Sequence, residues 1–242
     1  MRSKMNGMMK IPTEKPGDVT YKDVSSFMVP GMFDPNDKEK WALFLSHRPY
    51  CVPGYKSKAP AIGKKVPDGP LLSLEEGGPS STLLAEAKKL AQATGASKVI
   101  ISFDSVTCPF WRAYAAEDLY RAVPGIPTLH VCIREAHPLD EFDAEGANTS
   151  GPLQLTREFN KHKTLSDRRA SAKEAKALIS KFEPGEITMF VDGMDDKLEA
   201  LYEARPWRQY VIEAATGKMI DAIGLTPFQM EDKIAAIKAA CA

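Results

Sequence analysis

The chain has no Cys-x-x-C pair, no long apolar run and no net charge. Its 242 residues include only four cysteines, Cys51, Cys108, Cys132 and Cys241, all widely separated. That spacing argues against a disulfide scaffold and a structural zinc site, and fits a reducing, cytoplasmic setting. No stretch of about 18 apolar residues occurs, so no membrane span is expected. The opening "MRSKMNGMMKIPTEKPGD" is basic but lacks the apolar block of a secretory signal. With 32 basic residues against 32 acidic ones, no global field draws the chain to nucleic acid or an anionic membrane. No internal repeat or low-complexity tract is visible. Composition is that of an ordinary globular protein, long enough for one large domain or one domain with an extension.

Pro and Gly recur through residues 1–56, where only "DPNDKEKWALFLSH" has helical spacing. This part reads as an N-terminal extension to a main domain spanning 57–242. A loop-rich entry follows, with a short strand expected at "PLLSL". From there the pattern becomes regular. "TLLAEAKKLAQATG" predicts a helix stopped by Gly95, and "KVIISF" a buried strand. "FWRAYAAEDLYRAV" predicts a helix over 110–123, closed by Pro124-Gly125, and "TLHVCI" a second strand. Residues 155–182 predict a long helix, broken near Thr164. "ITMFVD" is a third strand, "QYVIEAATGKMIDAIG" a hairpin turning at 215–217, and "TPFQMEDKIAAIKAA" a capped last helix. Strands alternating with helices predict an α/β protein with a mixed central sheet flanked by helices. The chain order is that of the thioredoxin-like fold.

In that order Cys108 falls between a strand and a helix start. Backbone N–H groups at a helix start carry roughly half a positive charge, which stabilises a thiolate. Pro109 suits the first helical position, and Ser105 and Thr107 add hydroxyls. A small apolar residue packed in a loop is the plain alternative. The strand-to-helix junction favours a nucleophile. Trp111 occupies the place where a dithiol motif would put its second cysteine, so this is a one-cysteine centre.

The second informative stretch is "HVCIREAHPLDEF". His130 and Cys132 share one face of their strand and are expected in the core, with no ligand spacing for a metal. Glu135 and His137 lie beyond the strand's C-terminal edge, where open α/β sheets build their sites. A carboxylate two residues from an imidazole can tune a proton donor or acceptor, although a polar loop cap without chemistry also fits.

These segments resemble those of the iodothyronine deiodinases. "SFDSVTCPFW" is similar to the family's Phe-Gly-Ser-x-Thr, selenocysteine, Pro segment through Phe103, Ser105, Thr107 and Pro109, with Cys108 in the selenocysteine place. "REAHPLDEF" resembles its Glu-Glu-Ala-His-Pro-x-Asp segment through Glu135, Ala136, His137, Pro138 and Asp140. "HKTLSDRRASA" resembles its His-x-x-Leu-x-Asp-Arg motif through His162, Leu165, Asp167 and Arg168. The tail from Asp192 to Arg208 matches less specifically, since peroxiredoxin-like proteins end similarly. Departures are Asp104 and Glu203 in place of glycines, Trp111 in place of Phe, and Tyr114 at a family arginine. Asp104 is expected to point away from the thiol. Residues 1–55 show no counterpart of the animal enzymes' membrane anchor, and 143–151 resemble an added loop.

The resemblance implies Cys108, Glu135, His137 and His162 as catalytic residues, and Ser105, Thr107, Trp111, Arg168 and Arg208 as substrate contacts. It implies reductive removal of iodine from an iodinated phenol, no tightly bound cofactor or metal, an external thiol reductant, and a homodimer. Two other classes stay open: a peroxiredoxin-like thiol peroxidase using the same cysteine, and a thioredoxin-like adaptor whose thiol is idle.

Overall fold

A computed structural model describes residues 58–108, 111, 125–136, 138, 140, 159–181, 185–205, 207–223 and 239. The extension expected over 1–56, most of the helices expected over 110–123 and 226–240, and His137 lie outside these residues. In chain order the described elements are β1 (Pro70–Leu71), β2 (Ser81–Thr82), α1 (Leu83–Thr94), β3 (Lys98–Asp104) and β4 (Thr128–Cys132). There follow α2 (Leu165–Ile179), β5 (Thr188–Val191), α3 (Lys197–Tyr202), β6 (Arg208–Glu213) and β7 (Lys218–Ile223).

The β-branched run of β3 lies at the centre of a five-stranded sheet, in the order β5-β4-β3-β6-β7. β4 runs parallel to β3, and β5 parallel to β4, whereas β6 and β7 are antiparallel to their neighbours. The β1–β2 ribbon is tied to this sheet where Leu72 bridges Val191. Each parallel crossover is long, as parallel pairing requires, and the closing pair is a tight hairpin. The result is the mixed-sheet, thioredoxin-like arrangement expected from the chain order.

Alternation along the strands sends two sets of side chains to two faces. Val99, Ile101 and Phe103 pack with Leu129, Val131, Tyr210 and Ile212 under Leu83, Ala87 and Ala91 of α1. On the other face Cys132, Met189 and Val191 meet Ala172, Ala175, Leu178 and Ile179 of α2, together with Val106, Cys108, Trp111 and Trp207. Burying one such leucine or isoleucine stabilises by roughly 1.5–3 kcal/mol, so both layers contribute.

Local chemistry sets the helix ends. Thr82 caps α1 through Ala85 N–H, and Gly95 closes it in the left-handed region at φ 70°. The long helix expected over 155–182 is not continuous: 159–163 are non-helical, and α2 starts only after Thr164. The reason is a capping box. Asp167 N–H donates to Thr164 Oγ1 at 3.2 Å, and the Asp167 carboxylate accepts from Thr164 N–H at 2.8 Å. His162 therefore precedes the helix rather than riding on it. α3 was not expected from sequence. The Asp192 carboxylate accepts from the N–H groups of Leu198 and Glu199 and so caps it from outside the helix. Asp196, the residue at the N-cap position, has φ 51° and makes no cap bond with its side chain. Among the described residues no helix is long and apolar enough to cross a membrane.

Thr164→Ala should lower unfolding free energy by about 1 kcal/mol, as cap losses do. Urea denaturation with an unchanged midpoint would show that the box does not hold α2.

Candidate active site

The chain leaving β4 stays beside β3, because Ile133 N–H donates to Asp104 O at 3.0 Å. That delivers Glu135 to the loop that follows β3. The loop itself is a tight turn, closed by Cys108 N–H on Ser105 O at 3.0 Å. Glu135 Oε2 accepts from Ser105 Oγ at 2.8 Å, Thr107 N–H at 2.8 Å and Thr107 Oγ1 at 2.7 Å. Glu135 Oε1 accepts from Ser171 Oγ of α2. Ser105 Oγ also accepts from Ala136 N–H at 2.8 Å, and Arg205 Nη2 donates to the Glu135 carbonyl at 3.1 Å. A buried carboxylate is costly unless fully hydrogen-bonded, and this one draws donors from two segments, the turn after β3 and α2.

Ser105 and Thr107 thus point their hydroxyl protons at Glu135. Both hydroxyls, expected to hydrogen-bond sulfur or an incoming substrate, are engaged with the Glu135 carboxylate.

His162 joins from the opposite side. Its segment is tethered where Lys161 N–H donates to Asp140 Oδ1 at 2.6 Å. Arg168 Nε–H donates to His162 Nδ1 at 3.3 Å, so the ring proton sits on Nε2. Nε2 lies 3.6 Å from Glu135 Oε1, too far for a hydrogen bond, and makes none elsewhere. Burial pushes the imidazole's proton affinity below its ordinary value of 6.5, with the Glu135 carboxylate opposing and Arg168 assisting. His162 is therefore neutral at pH 7, with its proton directed toward the carboxylate.

The other residues expected at the site take varied positions. Arg168 is buried, and its guanidinium also donates to Asp192 O, Gly193 O and Asp196 Oδ1. It orients His162 and ties α2 to the β5–α3 connection. Arg208 lies on β6 with the parity of Tyr210, whose hydroxyl it meets at 3.3 Å, on the sheet face opposite α2. Trp111 is helical and fully buried in the cluster containing Cys108, and its indole N–H makes no hydrogen bond. Cys108 is itself 0% exposed. A thiol at an open sheet edge was expected, but Val106, Trp111, Ala136 and Trp207 belong to the apolar cluster that encloses it.

Asp104, expected to point away from the thiol, belongs to a buried polar pair. It is buried, receives Ser102 Oγ at 2.5 Å, and meets His130 Nδ1 at 2.7 Å. His130 and Cys132 are core residues as expected. Burial, with help from Glu135, pushes the Cys132 thiol far above its ordinary range, which leaves it inert. Ser171 and Arg205 were missed. Ser171 sits three residues beyond Arg168, one turn along the same helix face, and that spacing was the available signal. Among the described residues no group of three or more His, Cys, Asp or Glu side chains could hold a metal ion.

No protein-family model and no curated protein matches the sequence. Solved structures do. A thioredoxin-like protein from Aeropyrum pernix is 16% identical, over 70% of this chain and 89% of its own, with a TM-score of 0.39. An uncharacterized conserved protein from Geobacillus kaustophilus is 14% identical, over 74% and 82%, with a TM-score of 0.43. The exposed lipoprotein thioredoxin of Streptococcus pneumoniae is 16% identical, over 70% and 99%, with a TM-score of 0.37. These likenesses are loose. The sheet order and its crossovers carry the fold assignment.

A neutral buried histidine has a testable consequence. Below about pH 6.5 the unfolded chain takes up a proton that native His162 resists, so this group's contribution to stability is lost as pH falls. Glu199, pushed up to about 7 chiefly by burial, acts in the opposite sense across the same range. Subtraction isolates His162. The stability difference between wild type and His162→Gln should shift in favour of the variant as pH drops from 7 to 5. A pH-independent difference in chemical denaturation would refute the neutral ring.

Proposed function

We propose that this protein is a thiol-dependent oxidoreductase that removes iodine reductively from iodinated phenols. One observation carries the proposal: Glu135, bonded to the Cys108 turn through Ser105 and Thr107, lies 3.6 Å from an imidazole on a separate segment. Thiol chemistry needs only the sulfur. A proton-holding network reaching from the sulfur's own turn to a histidine is what protonating an aryl carbon requires.

The Cys108 thiolate attacks iodine along the carbon–iodine axis. A sulfur–iodine bond forms, the carbon–iodine bond breaks, and its electron pair stays on the ring carbon, which takes a proton. His162 Nε2–H, uncommitted to any hydrogen bond, gives this proton, and the imidazolate left beside the Arg168 guanidinium takes one back from the thiol that reduces the sulfur. Thr107 Oγ1 and Glu135 form the path for the returning proton. Cysteine has then been oxidised by two electrons to a sulfenyl iodide. One external thiol displaces iodide to give a mixed disulfide, and a second releases Cys108. Net, an aryl iodide and two thiols become an arene, iodide, a proton and a disulfide. Arg168 acts here through His162 rather than on the substrate. His137, Trp111 and Arg208 keep the parts suggested by the family resemblance, as further proton donor, aromatic wall and anion contact.

A second reading is favoured by the enclosure of Cys108. A buried sulfur admits a small oxidant more readily than an aromatic ring. A thiol peroxidase would use the same thiolate to attack a peroxide oxygen, releasing an alcohol or water and leaving sulfenic acid, which two thiols return to the free cysteine. An adaptor with an idle thiol would do neither.

Purified protein with dithiothreitol should release iodide from an iodinated phenol, and Cys108→Ser should abolish it. Residual wild-type rate in that variant removes Cys108 from the chemistry. Parallel assays with hydrogen peroxide separate the two enzymes: His162→Gln should cut iodide release by about 10²-fold or more, while peroxide consumption changes little. Equal losses in both assays argue for a structural role of the ring. Iodoacetamide should label Cys108 in the native protein once its surroundings open. Complete protection up to the unfolding transition favours the adaptor.

A further inference from the structure

Ser171 holds an unusual position between the two halves of the site. Its hydroxyl is fully buried and donates to Glu135 Oε1. A hydroxyl has one proton, and Ser171 directs it at Glu135 Oε1; the Cys132 thiol, 3.8 Å from Ser171 Oγ, has its own acceptor in Ile133 O at 3.7 Å.

That arrangement bears on His162. Glu135 Oε2 already receives three donors, from Ser105 and Thr107. Oε1 is the oxygen facing His162 Nε2–H, at 3.6 Å. Ser171 already donates to that oxygen from α2 and so sets where the carboxylate lies relative to the ring. The imidazole proton is left buried without a hydrogen bond, a costly condition that a purely structural arrangement would relieve by a small movement.

We propose that Ser171 is a positioning residue that keeps Glu135 from capturing the His162 Nε2 proton, so that the proton stays uncommitted for a bound acceptor. The groups facing His162 are Glu135 from beyond β4, Arg168 and Asp167 from α2, and Asp196 ahead of α3. Among the described residues, Glu135 is the one of these that brings an oxygen within 4 Å of Nε2, and Ser171 is the side chain that holds that oxygen. Removing the hydroxyl lets the ring and carboxylate close into a direct pair, which favours the protonated imidazole. The proposal rests on the function proposed above only in its consequence for turnover.

The test is a histidine ¹⁵N NMR titration of wild type, Ser171→Ala and, for assignment, His162→Gln. Wild-type His162 should show the Nε2–H tautomer with no carboxylate hydrogen bond. In Ser171→Ala its midpoint should rise by about one unit, with the Nε2 proton moving downfield, as an opposite charge at contact distance produces. An unchanged midpoint in folded Ser171→Ala overturns the proposal, as does a carboxylate-bonded Nε2 proton in the wild type. The wild-type spectrum decides even if the variant does not fold. A shifted midpoint in a protein that turns over neither iodophenol nor peroxide would sink the proposed function and leave Ser171's role standing. An unshifted midpoint with active wild type does the reverse.

Discussion

A carboxylate removed from water has to be solvated by the protein, and at Glu135 that demand organises everything around it. The donors come from the turn after β3, from α2 and, on the backbone side, from Arg205. Each is fixed in place because leaving any one unpaired would strand a buried polar atom at about 1–3 kcal/mol. The Cys108 turn, the middle of α2 and the exit of β4 are thus registered against one another by one side chain.

The same logic explains how His162 is held. Arg168 grips the β5–α3 connection with Nη1 and Nη2 and turns its Nε–H to the imidazole. A planar fork with fixed angles can do this where a lysine could not. The tautomer of His162 follows from the placement of an arginine, and the arginine's placement follows from carbonyls at the end of β5. Geometry at the site is inherited from the sheet edge.

A second buried polar group lies deeper. Asp104, where the similar family has glycine, is matched by His130 on the neighbouring parallel strand and by Ser102 two residues back. Gln209 on the antiparallel neighbour reaches Ser102 at 3.4 Å. Three strands share this one buried polar seam.

Much of this was legible in residue order. The β-branched runs announced β3 and β4, Gly95 announced the end of α1, Glu135 was marked by its place beyond the strand edge, and His162 was marked by the family resemblance alone. What local pattern left out was direction and reach. A break near Thr164 was readable, but only the reciprocal bonds with Asp167 show that helix begins there and not before it. α3 went unseen because its cap, Asp192, lies outside the helix, where no i-to-i+3 rule looks. Ser171, Arg205 and the Asp104–His130 pair were invisible because their partners are tens of residues away in sequence and meet only across the sheet.

The sequence by itself determined the α/β pattern, the one-cysteine character of the centre and the residue types available for proton handling, since these depend on local spacing and composition. The tertiary structure alone decided which oxygen each hydroxyl serves, which imidazole nitrogen carries the proton, and that Cys108 is enclosed. Those are outcomes of burial and of long-range pairing, and a chain encodes them only once every competing donor and acceptor has found its place.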